Sequence, residues 1–410
     1  MRILLLSAYH ATSHKQWADG LIQHLSDYDW TLLSLPPRHF SWRIRGNSLT
    51  WAFTKQDILS QPYDVILATS MVDLSTLRGM SPALSKIPTI VYFHENQFCY
   101  PLSDNKQFSD TKRFTNNSQV EAQLTSIYSA LCADAAIFNT HFNRDSFLGG
   151  AKKLLKKLPD GIPPNITQLL NEKSQVIPVP IDDELFTSNS SCQPIQSGQP
   201  KKPCLTVVWN HRWEYDKGPD RLLAALKKIP SKTNLTFHIL GENFRNQPIE
   251  FEGIKKLLIN NNWLGEWGYI ENKKLYVHTL RHSDAVLSTA IHDFQGISIL
   301  EAAAVGCIPI VPDRLAYREL FTNEVLYSSH FDIHKANTFD VQEIEQEATA
   351  LASKIQLLAT ITTSENKKIK DNSKQHIQYL SWRNMKEKYT ALFEGLSFKH
   401  ARIKFNLQER

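Results

Sequence analysis

HDFQGISILEAAAVGCIPIVP, residues His292 to Pro312, is the stretch on which the reading of the fold turns. Its last part, Ile308 to Val311, is a short apolar run of strand type, and the segment before it, beginning near Ser298, has helical character. Asp293 and Glu301 are separated by seven residues, with Gly296 in the turn between them. A helix N-terminus preceded by glycine presents free backbone N–H groups, so Gly296, Ile297 and Ser298 form a ready site for a phosphate. Glu301 then sits about one turn inside the helix, where its carboxylate can accept hydrogen bonds from ribose hydroxyls. An ordinary strand-to-helix turn whose acids complement the helix dipole is the alternative for this segment taken alone.

Outward from that stretch the same alternation recurs. Leu205 to Trp209, Thr236 to Leu240, Ala285 to Leu287 and Val325 to Tyr327 read as further strands of the C-terminal half. The N-terminal half repeats the pattern at Ile3 to Leu6, Thr31 to Leu35, Val65 to Ala68, Thr89 to Phe93, Ala135 to Phe138 and Gln175 to Ile177. Strands alternating with helices imply parallel sheets covered on both faces, and 410 residues exceed what one hydrophobic core usually organises. The expected segments are an N-terminal domain over 1–186, a Ser/Gln/Pro-rich linker over 187–203, a second α/β domain over 204–375, and a C-terminal helix and tail over 376–410.

Composition narrows the classes further. A hydrophobic fraction of 42% with 21% charged residues is that of a globular protein. The formal charge of +5 favours a polyanionic partner without demanding one. Five scattered cysteines with no CxxC pair exclude a disulfide framework and a structural zinc site. The apolar stretch in MRILLLSAYH is too short for a signal peptide and reads as a buried strand, and no segment approaches the ~18 apolar residues of a membrane span. A cytoplasmic protein without membrane insertion is expected, its oligomeric state left open.

A second constellation follows the first strand of the C-terminal half, in WNHRWEYDKGPDRLLAAL, Trp209 to Leu226. Arg212 and Lys217 fall at the carboxyl edge of a parallel sheet, where ligands of such sheets bind, and two cations there suit a diphosphate. No G-x-G-x-x-G follows either first strand, which excludes a dinucleotide oxidoreductase of the usual kind.

Arginine, four residues and lysine in one loop, followed by an acid, seven residues and Glu in a later one, resemble the GT-B retaining glycosyltransferases of the sucrose-synthase-like family. That resemblance implies an α/β fold of two Rossmann-like domains whose parallel sheets face an interdomain cleft. It further implies that Arg212 and Lys217 neutralise the donor diphosphate and that Glu301 holds the ribose. Asp293, the candidate catalytic acid, stands where the family more often has Glu, which shortens its reach toward the transferred sugar. SAYHATSHKQWADGL from Ser7, LPPRHFSWRIRG from Leu35, YFHENQFCYP from Tyr92 and FNTHFNRDSFL from Phe138 look like the tRNA-queuosine mannosyltransferase family. Its members transfer mannose from GDP-mannose to the cyclopentenediol of queuosine at the wobble position of an aspartate tRNA, with retention of configuration. A GT-B transferase using another nucleotide sugar and a lipid or saccharide acceptor would share every donor motif.

In the N-terminal half, His94 follows the fourth strand at its carboxyl edge, where a neutral imidazole can accept a hydrogen bond from a sugar hydroxyl or position the acceptor. Glu95, Asn96 and Gln97 add polar groups suited to polyol recognition. His10 lies in the first strand-to-helix loop, which lacks the paired glycines frequent in relatives. Trp42, Arg43 and Arg45, in a basic and aromatic loop from Arg38 to Gly46, are candidates for an RNA acceptor, arginines on phosphates and an aromatic ring on an exposed base. No acidic pair of metal-ligating type accompanies the donor motifs. The expectation is therefore a reaction without metal or cofactor, in which the two cations stabilise the leaving diphosphate.

Overall fold

A computed structural model describes residues 1–99, 112–187, 204–243, 247–329 and 341–408, with side chains omitted over 112–118 and 398–408. Among these residues the chain forms two six-stranded parallel sheets, each in its own compact unit. Of the described residues, the first unit comprises those from 1 to 180 together with 382–408, and the second those from 181 to 381.

In the first unit the strands are β1 (Arg2–Ser7), β2 (Asp29–Ser34), β3 (Val65–Thr69), β4 (Thr89–Phe93), β5 (Ala135–Phe138) and β6 (Ser174–Val176), in the order β2-β1-β3-β4-β5-β6. Every residue of β3, β4 and β5 is buried, as expected of central strands covered by helices on both faces. The direction of strand addition reverses between β1 and β3. Helix α1 (Thr12–His24) follows β1, and α2 (Phe40–Thr54) follows β2.

In the second unit β7 (Leu205–Asn210), β8 (Leu235–Leu240), β9 (Leu264–Gly268), β10 (Ala285–Leu287), β11 (Ile308–Pro312) and β12 (Leu326–Tyr327) are ordered β12-β11-β10-β7-β8-β9. Relabelled from its own first strand, this is the 3-2-1-4-5-6 order of a dinucleotide-binding sheet, and it reverses between β7 and β10. The two loops that carry the donor motifs, after β7 and after β10, flank that reversal.

Three features differ from the sequence reading. The strand β9 was not expected, because LGEWG carries two glycines and no apolar run; it is a partly exposed edge strand whose pairing to β8 shifts register between Phe237 and Ile239. The segment around Trp42, read as a loop, is helix α2 from Phe40 onward. The C-terminal helix Trp382–Gln408 packs with the first unit rather than standing as a separate tail after the second domain. Its apolar side explains this: Trp382 stacks on His24 at 4.7 Å, and the buried Tyr389 hydroxyl accepts from Trp17 Nε1 at 3.0 Å and donates to the Pro178 carbonyl at 3.1 Å. Division of the chain falls at 180/181, and the expected linker lies outside the described residues from 188 to 203. Among the described residues no helix is long and apolar enough to cross a membrane.

Candidate functional site

The loop after β7 is fixed before it can serve any ligand. Trp213 is buried and stacked on Phe251 at 4.5 Å, and its backbone N–H donates to the Glu242 carbonyl at 2.9 Å. These contacts leave Arg212 exposed, with its guanidinium paired to Glu214 at 3.0 Å. Lys217 is the opposite case. It is buried, donates to the His292 carbonyl at 2.8 Å, and lies 3.3 Å from Asp216 and 3.8 Å from Asp293. Burial works against its charge, but Asp216 and Asp293 outweigh burial and hold its pKa above the ordinary lysine value.

The loop after β10 meets it from the other side of the reversal. Thr289 Oγ1 accepts from Trp209 Nε1 at 2.9 Å and donates to the Lys217 carbonyl at 2.7 Å, which ties the two loops together. Beneath them Arg314 donates to the Ala290 carbonyl at 2.9 Å and grips both Glu347 oxygens, at 2.6 and 2.8 Å. Such a buried bidentate pair positions backbone rather than adding much net stability. Asp293 accepts from the Gly296 backbone N–H at 2.9 Å and from the Tyr317 hydroxyl at 3.0 Å. Burial opposes its ionisation, yet Lys217 overrides that and keeps the carboxyl below the usual range. Gly296 is the N-cap of helix Ile297–Val305 with φ 69°, a left-handed conformation, and a Cβ there would stand 2.8 Å from the Tyr317 ring. Glycine is required on both counts.

Glu301 lies on that helix, and its Oε2 accepts from the Tyr276 hydroxyl at 3.0 Å. The same hydroxyl accepts from Asn210 Nδ2 at 2.6 Å, while Ser298 Oγ donates to the Asn210 carbonyl at 2.7 Å. Since the Asn210 amide nitrogen can only donate, the Tyr276 proton must point at Glu301, which orients the carboxylate. Burial raises the Glu301 pKa. The structure thus brings Arg212, Lys217, Asp293, Gly296, Ile297, Ser298 and Glu301 to the carboxyl edge of one sheet. Together they offer two cations, a free helix N-terminus and a hydroxyl-binding acid, the components of a nucleoside-diphosphate site.

Sequence reasoning missed the groups that hold these in place. His211 is buried, its Nε2 2.9 Å from Ser288 Oγ, and burial pushes its pKa down to about 3. Tyr276 and Tyr317 come from distant segments with no local signal. Asp216 and His211 did lie inside the quoted motif, where two more polar residues beside two cations were the available sign.

In the first unit the candidates separate into two groups. His94 sits at the end of β4 among aromatic rings: His14 at 4.3 Å edge-on, Trp17 at 4.6 Å and Tyr92 at 4.7 Å. Its Nε2 makes no hydrogen bond among the described residues, and burial, followed by His14, drives its pKa well below the ordinary value, so it is neutral at pH 7. His10 is partly exposed with Nδ1 3.0 Å from Ser7 Oγ, and Glu95 is partly exposed beside His94. Asn96 and Gln97 are placed otherwise. Asn96 is fully buried, its amide donating to Asn143 and Ser146 at 2.8–3.0 Å and its Oδ1 accepting from the Phe98 N–H at 2.9 Å; it shapes the loop and presents no face to a ligand. Gln97 is buried as well. On α2, Trp42 is 57% exposed, but the helix turns Arg43 inward, and Arg45 is tethered to Asp73 at 2.7 Å. Arg43 is therefore removed from the exposed surface by the helical geometry that the loop reading did not include.

Comparison with known proteins bears on the family and the fold. The family described as tRNA-queuosine alpha-mannosyltransferase N-terminal matches residues 2–181, and glycosyl transferases group 1 matches residues 195–376. A tRNA-queuosine alpha-mannosyltransferase of Drosophila melanogaster is 34% identical over 330 residues, covering 80% of this chain and 83% of the relative. Among solved structures, Anabaena HepE in complex with UDP and glucose superposes with a TM-score of 0.63 at 14% identity, over 96% of this chain and 100% of that one. Sucrose-phosphate synthase from Thermosynechococcus elongatus reaches 0.66 at 14% identity, over 97% and 99%. At such identities these likenesses speak for the fold, which is GT-B. The resemblance drawn from the HENQ and WNHRWEYDK segments is borne out: the chain belongs to the tRNA-queuosine alpha-mannosyltransferase family of GT-B glycosyltransferases.

Proposed function

We propose that this chain transfers mannose from GDP-mannose to the cyclopentenediol of queuosine at the wobble position of tRNA-Asp, in the cytoplasm and with retention of configuration. The observation that carries the donor half is the convergence of Lys217, Arg212 and the N-terminus of helix Ile297–Val305 at the point where the second sheet reverses, with Glu301 one turn further in. The diphosphate takes the cations and the helix N-terminus, and the ribose takes the oriented Glu301 carboxylate. As the bond from the sugar's anomeric carbon to the diphosphate breaks, charge develops on the leaving oxygen, where Arg212 and Lys217 stabilise it. The acceptor hydroxyl attacks from the same face, and its proton passes to the departing phosphate. Neutral His94 accepts a hydrogen bond from a sugar hydroxyl or holds the acceptor.

Two fixed cations perform the task that magnesium performs elsewhere, so turnover in excess EDTA is expected to persist. The test of the whole reading is to supply radiolabelled GDP-mannose with total tRNA from queuosine-containing and queuosine-lacking cells. Label entering only the first sample is the expected result. Label entering both, or entering neither while another nucleotide sugar is consumed, overturns it.

A further inference from the structure

Helix α2 has an outer face that the fold leaves uncovered among the described residues. Trp42, Leu49 and Phe53 are 57%, 47% and 67% exposed. At about 100° per residue they fall within a stripe roughly 40° wide, running about 16 Å along the helix. The opposite side is firmly attached. Ile44, Trp51 and Ala52 are in the core, and Asn47, fully buried, donates to the Met71 carbonyl at 3.1 Å and accepts from the Asp73 N–H at 3.2 Å.

Gly46 shows that the stripe is built. A Cβ at that position would overlap the Trp42 indole, so the ring lies along the helix over the glycine, with its other side exposed. A glycine inside a helix costs about 1 kcal/mol relative to alanine, and here it makes room for a flat aromatic surface. The charges on the helix itself are all positive, with Asp73 bound to Arg45 and Asp57 lying past its C-terminal end. From Trp30 to Gln56 the sequence contains no carboxylate, and Arg38 and Lys55 are exposed beyond either end of the stripe.

We infer that this face of α2 is a stacking platform for unpaired bases of the RNA acceptor, with Trp42 and Phe53 as the stacking residues. The inference rests on the proposed tRNA acceptor and adds where its single-stranded loop docks. Aromatic side chains flanked by cations suit a single-stranded polyanion, since every base has a π-face and the backbone needs neutralising. A bilayer surface calls for a broad apolar helix face, of which a 40° stripe is only a fraction.

The experiment uses the full chain with Trp42→Ala, Trp42→Phe and Phe53→Ala, measuring binding of queuosine-containing tRNA by fluorescence anisotropy and of GDP by calorimetry. Both alanine variants are expected to weaken tRNA binding at least tenfold, Trp42→Phe to retain most of it, and all three to keep the wild-type GDP affinity and melting temperature. Unchanged tRNA affinity with intact label transfer overturns the platform while leaving the proposed function standing. Failure of the wild type to bind or label tRNA overturns both. Binding to phosphatidylserine vesicles, or a dimer in gel filtration, that the alanine variants abolish while tRNA affinity is unchanged overturns the platform in favour of a membrane or self-association face.

Discussion

His211 illustrates how much of the donor region depends on a group that does no chemistry. Its imidazole is buried against Ser288, whose oxygen lies 2.9 Å from both the ring Nε2 and the Tyr317 hydroxyl, and Tyr317 in turn donates to Asp293. The ring remains neutral down to about pH 3, whereas an unfolded histidine titrates near 6.5. Between those values the unfolded chain binds the additional proton, so this contribution to stability is fully present above pH 6.5 and is lost as the pH falls. At about 1.4 kcal/mol per pH unit, lowering the pH from 7 to 5 removes roughly 2 kcal/mol. Asp216, with a depressed pKa, keeps its full contribution above the unfolded carboxylate value of about 3.9 and loses it only at lower pH, so it does not alter that window. In denaturant titrations the wild type is expected to lose about 2 kcal/mol more over this interval than His211→Gln. Equal losses would show that His211 is not held neutral. At this scale Arg212, Lys217 and Glu301 were legible because each lies in a contiguous phrase with fixed spacing. His211, Tyr276 and Tyr317 were not, because their roles exist only once segments up to 88 residues apart are folded together, as Asn210 and Ser298 are.

Elements were read well where burial is two-sided and poorly where it is not. The central strands announce themselves as continuous apolar runs, whereas β9, at an edge and half exposed, has no such run. Helix α2 escaped because Phe40, Trp42, Leu49 and Phe53 leave the apolar residues spread around its circumference, which blurs the helical period. The C-terminal helix showed its apolar face in sequence but not the unit it would join. That docking centres on one hydroxyl: removing it by Tyr389→Phe leaves Trp17 Nε1 and the Pro178 carbonyl without their partner. A buried donor and acceptor left unsatisfied cost about 1–3 kcal/mol. The denaturation midpoint should fall accordingly while GDP affinity, which depends on the other unit, stays level. A variant as stable as the wild type would mean that the helix is held by its apolar contacts alone.

Across the whole molecule the same α/β architecture is used twice with different sheet orders, β2-β1-β3-β4-β5-β6 and β12-β11-β10-β7-β8-β9. Alternation of strands and helices reveals the architecture but not the order, and the order decides which loops become neighbours. In the second unit the reversal lies between β7 and β10, so motifs 75 residues apart at Lys217 and His292 are joined by hydrogen bonds, among them Lys217 to the His292 carbonyl and Ser298 to the Asn210 carbonyl. All groups assigned to the nucleotide belong to residues 181–381, and the exposed platform on α2 belongs to the other unit. The central claim is this division, and calorimetric titration of GDP into the full chain tests it most directly. Arg212 is the residue to change, since it is exposed, whereas Lys217 is buried between Asp216 and Asp293. Loss of one charge-assisted contact, about 1.5–3 kcal/mol, predicts that Arg212→Ala weakens GDP binding by roughly ten- to a hundredfold, with Trp42→Ala unchanged. Undiminished GDP affinity in Arg212→Ala, or a comparable loss in Trp42→Ala, would contradict the account.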